Sequence, residues 1–194
     1  MTPQQSTDIS RDFDRLRKRI GGDDFLNNRG LANEVGFYVF PYDASKELEV
    51  RQHTADLVAD SESGALSAHV IERNLWQVFL KICEDKKILD KIAALEQKRG
   101  SDALLARLQK IATPEVYVRA MDYNPHQPGR DVLLITGVGQ IYPFMRAHSI
   151  LENAQGVFED IPVVLMYPGR YDGQHLHLFD RIDDGNYYRA FNIL

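Results

Sequence analysis

The 194-residue sequence has a single cysteine, Cys83, and no apolar run near the roughly 20 residues that a membrane-spanning helix needs. One cysteine cannot form a disulfide framework, so the reducing cytoplasm is the expected location. The N-terminal segment has charges throughout and lacks the apolar core of a secretory signal. We therefore expect a cytoplasmic protein without a membrane anchor.

The sequence also lacks a basic excess. It has 23 Lys and Arg against 28 Asp and Glu, which gives a net charge of −5. A free-standing DNA-binding domain is usually basic, because it must neutralise phosphates. Direct DNA binding is therefore predicted to be weak or absent, and protein partners are favoured.

What the sequence has is an alternation of apolar strand and helix patterns. Strands are predicted at 36–42, 68–75, 132–136, 161–167 and 175–180, and helices at 8–20, 46–61, 76–98, 101–111, 113–121 and 143–155. Pro168-Gly169 is predicted to turn the chain. This order predicts an α/β fold in one domain, 1–194, with a mainly parallel sheet and helices on both faces. The fold would be three-layered, Rossmann-like or degenerate P-loop-like, with a helical insert at about 76–122.

The stretch "LLITGVGQIYPFMRAH" joins a predicted strand to a helix through two glycines. A P-loop needs Gly-Lys-Ser/Thr at its end, but Gly139 is followed by Gln-Ile-Tyr. A dinucleotide fingerprint needs Gly or Ala where Tyr142 stands. Both phosphate motifs fail, so a structural turn is favoured over a ligand or partner crevice. The crevice, if present, is predicted to involve Thr136, Gly137, Gly139, Tyr142, Arg146, His148, Arg170 and Arg189.

Two histidines, His175 and His177, are spaced to lie on one face of a strand, with Asp172 just before them. Two such ligands make half of a zinc site, but no third ligand is fixed by spacing, so surface histidines are favoured. No metal, cofactor or catalytic residue is predicted. The segment 84–111 resembles a helical hairpin, which either packs on the sheet or protrudes to dock a partner.

Several long stretches of the chain are similar to the BrxB family of BREX (bacteriophage exclusion) systems. They are "DDFLNNRGLANEVGFYVFPYDASKELEV", "DVLLITGVGQIYPFMRAHSILENAQ", "PVVLMYPGRYDGQHLHLF" and "DDGNYYRAFNI". The stretches span nearly the whole chain, and their order is specific to the family.

The resemblance implies a role beside the other BREX proteins, which include a DNA methyltransferase, an alkaline-phosphatase-like protein and a large AAA+ ATPase. No catalytic residues are assigned in this family, so the resemblance implies a non-enzymatic adaptor or assembly factor. PglZ, the phosphatase-like protein, is the first expected partner, followed by the methyltransferase PglX and the ATPase BrxC. The alternative is a nucleotide or nucleic-acid sensor that uses the cleft at 137–146. A metal-dependent hydrolase built on His175, His177 and Asp172 is the least favoured.

Overall fold

The computed structural model describes residues 8–29, 36–183 and 190–194, which build an α/β fold around one sheet. The strands are β1 (Phe37–Tyr42), β2 (His69–Asn74), β3 (Asp131–Thr136), β4 (Val163–Tyr171), β5 (Leu176–Leu178), β6 (Ile182–Asp183) and β7 (Phe191–Asn192). Five of them are parallel, in the order β2-β3-β4-β1-β7. The other two, β5 and β6, extend the end of β4 as antiparallel strands.

Helices cover both faces of the sheet, as predicted. They are α1 (Ile9–Ile20), α2 (Asp23–Leu26), α3 (Glu47–Ser63), α4 (Leu75–Asp85), α5 (Ile92–Arg99), α6 (Ser101–Ile111), α7 (Pro114–Met121), α8 (Val138–Ile141) and α9 (Ala147–Ala154). The first three pack on one face, and the helices from α4 onward pack on the other. The predicted mainly parallel sheet with helices on both faces is therefore confirmed.

The two cores are separated by the alternation of side chains along each strand. In β1, Phe37 and Val39 join the core under α4–α9, whereas Tyr38 and Phe40 join the core under α1–α3. Every residue of β3 is buried. A parallel strand covered on both faces has to be apolar at successive positions, which explains the continuous "VLLI" run.

The single helix predicted at 76–98 is wrong, because the chain breaks after α4. Lys87 adopts a positive φ of 55°, and the Ile88 N–H donates to the Cys83 carbonyl at 3.0 Å. This left-handed residue with a bond back to the last turn is a common way to end a helix. Ile88 then packs against the core, and a short 3-10 turn leads into α5.

The helix predicted to begin at Pro143 is also wrong at its start. The chain becomes helical directly after Gly137, as α8, and leaves the helix at Tyr142, which is extended with φ −65° and ψ 135°. A residue before proline is sterically disfavoured in the helical region, so the helix ends there. The next helix, α9, begins only at Ala147.

Pro168-Gly169 does not turn the chain, contrary to the prediction. Strand β4 continues through both residues and changes partner there, from parallel β1 to antiparallel β5. A Cβ on Gly169 would lie 2.1 Å from the His177 carbonyl oxygen, so glycine is needed for the close approach of β5. The turn itself lies after Tyr171, where the chain folds back into β5.

The last residues of the chain pack against the sheet. Residues 184–189 lie outside the described residues, whereas Phe191 pairs with β1 and Ile193 is buried.

Among the helices at 8–29, 36–183 and 190–194, none has the length and apolar character to cross a membrane.

A buried carboxylate fixes the amino-terminal end of the sheet. Asp131 begins β3 and is 1% exposed. One of its oxygens bonds to His69 Nδ1 at 2.9 Å, and the other accepts from the Tyr123 hydroxyl and the Gln127 N–H, both at 2.9 Å. Burial and the bond to this carboxylate raise the pKa of Tyr123. Asp131 thus ties β2 and the loop before β3 to the start of β3.

We predict that Asp131→Asn destabilises the fold by roughly 1–3 kcal/mol, because the amide offers one acceptor oxygen in place of two and lacks the charge that strengthens the bonds with His69, Tyr123 and Gln127. Urea denaturation followed by circular dichroism measures the change. Asp14→Asn, at an exposed position of α1, is the matched control and should leave the midpoint unchanged. Equal midpoints for the two variants would contradict the role of Asp131.

Candidate functional site

A polar cavity of about 230 Å³ lies at the carboxyl end of the parallel strands, between those strand ends and α3. We call it the edge cavity. Its polar lining residues are Tyr42, Glu47, Arg51, Thr54, Glu72, Asn74 and Thr136, and Gly137 also lines it. Open α/β sheets bind ligands outside the carboxyl ends of their strands, so this cavity is the candidate site.

Gly137 and Asn74 shape one wall of the edge cavity. Gly137 directly follows β3 and lies in the left-handed region, with φ 77° and ψ 18°. A Cβ at this position would lie 2.9 Å from Asn74 Nδ2. Asn74 in turn caps α4, since its side-chain oxygen accepts from the N–H groups of Trp76 and Gln77 at 3.1 Å. The glycine is therefore required by the packing of a helix cap.

A hydrogen-bond chain links the ends of β2 and β3. The Thr136 hydroxyl donates to Glu72 Oε1 at 2.6 Å and accepts from Asn74 Nδ2 at 3.2 Å. Asn74 Nδ2 also lies 3.2 Å from Gln140 Oε1. Glu72 Oε1 is thus held by a hydroxyl, and its charge has no ion-pair partner among the described residues.

The opposite wall comes from the end of β1 and from α3. The Tyr42 hydroxyl donates to Glu47 Oε2 at 2.5 Å, and Arg51 Nε donates to Glu47 Oε1 at 2.8 Å. Burial and the neighbouring carboxylate raise the pKa of Tyr42. Thr54 is 4% exposed, and its hydroxyl has no hydrogen-bond partner in the described part of the chain.

Size and charge make the edge cavity a poor site for a nucleotide. Its volume is below the roughly 300–1,000 Å³ typical of pockets for drug-sized ligands. It holds two carboxylates, Glu47 and Glu72, and one guanidinium, Arg51. A triphosphate would meet net negative charge there, and the nucleotide hypothesis stays a prediction without support from this geometry.

The residues predicted to form one crevice lie in different places. Thr136 and Gly137 line the edge cavity, whereas Tyr142 and Arg146 line a separate surface depression of about 380 Å³ beside Gln109. In that depression the Arg146 guanidinium lies 5.6 Å from the centre of the Tyr142 ring. The two cavities share no lining residue.

The remaining predicted residues contribute to neither cavity. Gly139 lies in α8 against Phe179 and Pro168, and His148 lies in α9. Arg170 lies in β4 opposite His177 of β5. Arg189 is outside the described residues.

Sequence reasoning missed the residues of the edge cavity from β1, β2 and α3. Glu72 and Asn74 end a predicted strand, and polar side chains at the carboxyl ends of parallel strands are a usable signal. Glu47, Arg51 and Thr54 gave no comparable signal, because they lie on a helix with mixed polar and apolar residues.

Asp172, His175 and His177 meet at the turn between β4 and β5. Asp172 Oδ2 lies 3.4 Å from His177 Nε2 and 3.7 Å from His175 Nδ1. Its other oxygen accepts from the N–H groups of Gln174 and His175. Within the described ranges, no cluster of three or more His, Cys, Asp or Glu side chains is arranged to hold a metal ion.

A second surface feature lies on the hairpin of α5 and α6. A groove of about 360 Å³ runs between the two helices, with Leu95, Ala103, Leu104 and Ala106 as its apolar lining. Arg99, Arg107 and Lys110 complete its lining, and all three are exposed. We call this feature the hairpin groove.

The hairpin differs in charge from the rest of the protein. Helices α5 and α6, residues 92–111, hold four Lys and Arg against two Asp and Glu, and with the segment that leads into α5, residues 86–111 hold seven against three, a net charge of +4 in a chain whose total is −5. Helix α5 has no fully buried residue and is held to the core through the half-buried Ile92 and Leu95. The hairpin is therefore a basic, shallowly anchored surface on an acidic protein.

Comparisons with known proteins identify relatives along almost the full chain. The family model described as "BREX protein BrxB" matches residues 71–193. The chain is similar to a BREX protein BrxB of Bacillus cereus (strain H3081.97), with 37% identity over 96% of this chain and 97% of the relative. A BREX protein BrxB of Escherichia coli O9:H4 (strain HS) is 28% identical over 93% of this chain and 88% of the relative. No solved structure matches.

We predict that Gly137→Ala lowers stability by roughly 1–3 kcal/mol. An alanine would adopt the left-handed region at a cost and would displace the Asn74 cap of α4. Thermal unfolding by calorimetry measures the change. Gly156→Ala is the control, because its added methyl meets no atom within 4 Å. If the two variants melt together, the cap does not depend on Gly137.

The pKa of Asp172 is lowered from 3.8 to about 2, chiefly by the hydrogen bond from the His175 N–H. Since the folded pKa is depressed, this carboxylate stabilises the turn above about pH 4, and the contribution is lost as the pH falls through 2. Carboxyl NMR should show Asp172 still ionised at about pH 3. His177→Gln should change the midpoint little, whereas an unperturbed midpoint near 3.8 in the parent protein would contradict the turn.

Proposed function

Because the chain belongs to the BrxB family and is therefore a component of a BREX system, we propose that it acts as a non-catalytic adaptor or assembly factor. In this role it holds together proteins of the DNA-modification and restriction complex. PglZ is the proposed first partner, with the methyltransferase PglX and the ATPase BrxC as the next candidates.

The observation that carries the proposal is the hairpin groove. An exposed groove with an apolar floor and a charged rim has the composition of a docking site for an amphipathic segment. Arg99, Arg107 and Lys110 have no ion-pair partner within residues 8–29, 36–183 and 190–194, so their charges are available to a partner. The partner segment is expected to present apolar side chains flanked by Asp or Glu.

Pairwise co-purification of the full chain with PglZ, PglX and BrxC tests the proposal. We predict that one of them is retained, PglZ first, and that Arg107→Glu weakens its capture by about tenfold or more, since a rim cation becomes an anion against an acidic segment. Ala106→Glu should also weaken capture, because it places a charge on the apolar floor.

Lys98→Glu and Ala93→Glu are the matched controls, since both residues are exposed on α5 and neither lines the hairpin groove. They should leave capture close to that of the parent protein. If the chain migrates alone on gel filtration with all three proteins, the adaptor role fails. If a partner is retained and the groove variants behave like the controls, the docking surface lies elsewhere.

The sensor alternative is separated by calorimetry with ATP, a dinucleotide and a short DNA duplex. The edge cavity, with its two carboxylates, offers no feature that favours these ligands. If the duplex binds to the parent protein but not to Arg107→Glu, the basic hairpin binds nucleic acid. That result would replace the adaptor proposal.

A further inference from the structure

We propose that the edge cavity is a binding site for one cationic nitrogen group, a primary ammonium or a guanidinium, carried on a short aliphatic stem. The site is distinct from the hairpin groove, and it shares no residue with it. Its case comes from three properties of the described residues: an unneutralised carboxylate, an apolar wall and a buried hydroxyl without a partner.

Glu72 supplies the negative charge. Its Oε1 accepts the Thr136 hydroxyl at 2.6 Å, and its Oε2 has no hydrogen bond from any described residue. Glu72 is only partly exposed, at the end of the edge strand β2. A half-buried carboxylate with one unused oxygen binds a charged N–H donor more strongly than a neutral one.

Glu47 does not compete for the same ligand. Both of its oxygens are used, one by the Tyr42 hydroxyl and the other by Arg51 Nε. Glu47 and Arg51 therefore cancel in charge, and Glu72 leaves the edge cavity with a net charge of −1. This balance favours one cation and disfavours carboxylate or phosphate ligands.

The rest of the lining suits a short aliphatic stem. Val50 from α3 and Met166 from β4 are apolar and buried, and Ala55 lines the cavity from α3. The volume of about 230 Å³ corresponds to roughly eight water molecules, which is enough for a chain of a few methylene groups with its nitrogen head.

Thr54 gives an independent indication of a polar ligand. It lines the edge cavity, it is 4% exposed, and its hydroxyl oxygen is buried without a partner among the described residues. A buried hydroxyl without a hydrogen bond is unfavourable, because it has lost its bonds to water without replacement. A ligand N–H in the cavity can supply the missing bond once the Thr54 side chain rotates its buried oxygen toward the cavity.

The cationic group has two sources, a free amine or a Lys or Arg side chain of another protein. Agmatine and spermidine probe the first source, and N-acetyl-lysine amide and N-acetyl-arginine amide probe the second. N-acetyl-citrulline amide, which keeps the shape of arginine without its charge, is the neutral control. Binding at millimolar concentration is followed by NMR through the backbone amide signals of Gly137 and Thr136.

Variants that are expected to change the affinity in opposite directions distinguish an effect on binding from damage to the fold. Glu72→Gln should weaken the binding of the cations by about tenfold or more, because it removes the only charge without an ion pair in the cavity. Arg51→Gln should raise the affinity for the cations several-fold, since it removes the lining cation and leaves the charge of Glu47 without its ion pair. Thr54→Val should weaken the binding of the cations. Glu62→Gln, at an exposed position near the end of α3, should leave the affinity unchanged.

Signals that move with agmatine or spermidine but not with the two amino-acid amides assign a free amine. Signals that move with the amides, together with loss of partner capture in Glu72→Gln, assign a partner side chain. The proposal is overturned if no cation moves the Gly137 signal, if citrulline acts like arginine, or if Glu72→Gln binds as the parent does. Arg107→Glu should keep cation binding, so failure of the adaptor role and failure of this site are distinguishable.

Discussion

Strand β4 is the element on which the other parts of the protein depend. It pairs in parallel with β3 on one side and with β1 on the other, and its last residues pair antiparallel with β5. Each pairing requires fixed backbone hydrogen bonds, and the side chains of Val163 to Tyr167 are buried on both faces. The register of this strand therefore sets where the two helical layers lie.

The same pairing creates the edge cavity. Parallel strands end at one edge of a sheet, so Tyr42, Glu72, Thr136 and Met166 come together although they are distant in the chain. Helix α3 then closes the space from one side. Because β2 is the edge strand and is only partly covered, the Glu72 side chain is partly exposed, as it would not be on a central strand covered on both faces.

Charge is divided between the hairpin and the remainder of the chain. Residues 86–111, which are the hairpin and the segment that leads into it, carry +4, and this leaves −9 on the other residues. The proposed roles follow this division: the hairpin groove is offered to an acidic amphipathic segment, and the edge cavity to a single cation. Binding at the two sites should respond differently to salt concentration and to substitution, because salt screens the exposed charges of the groove more than the partly buried charges of the cavity.

The sequence by itself determined the α/β class, the parallel central strands and the family, since continuous apolar runs and helical spacing are local properties. It also excluded a phosphate loop at Gly137, because Lys is missing and Tyr142 is too large. Only the tertiary structure decided that Tyr142 and Arg146 lie apart from Thr136, and that β4 passes through Pro168 and Gly169. The physical reason is that cavities and strand partners depend on contacts between distant segments, which local spacing does not encode.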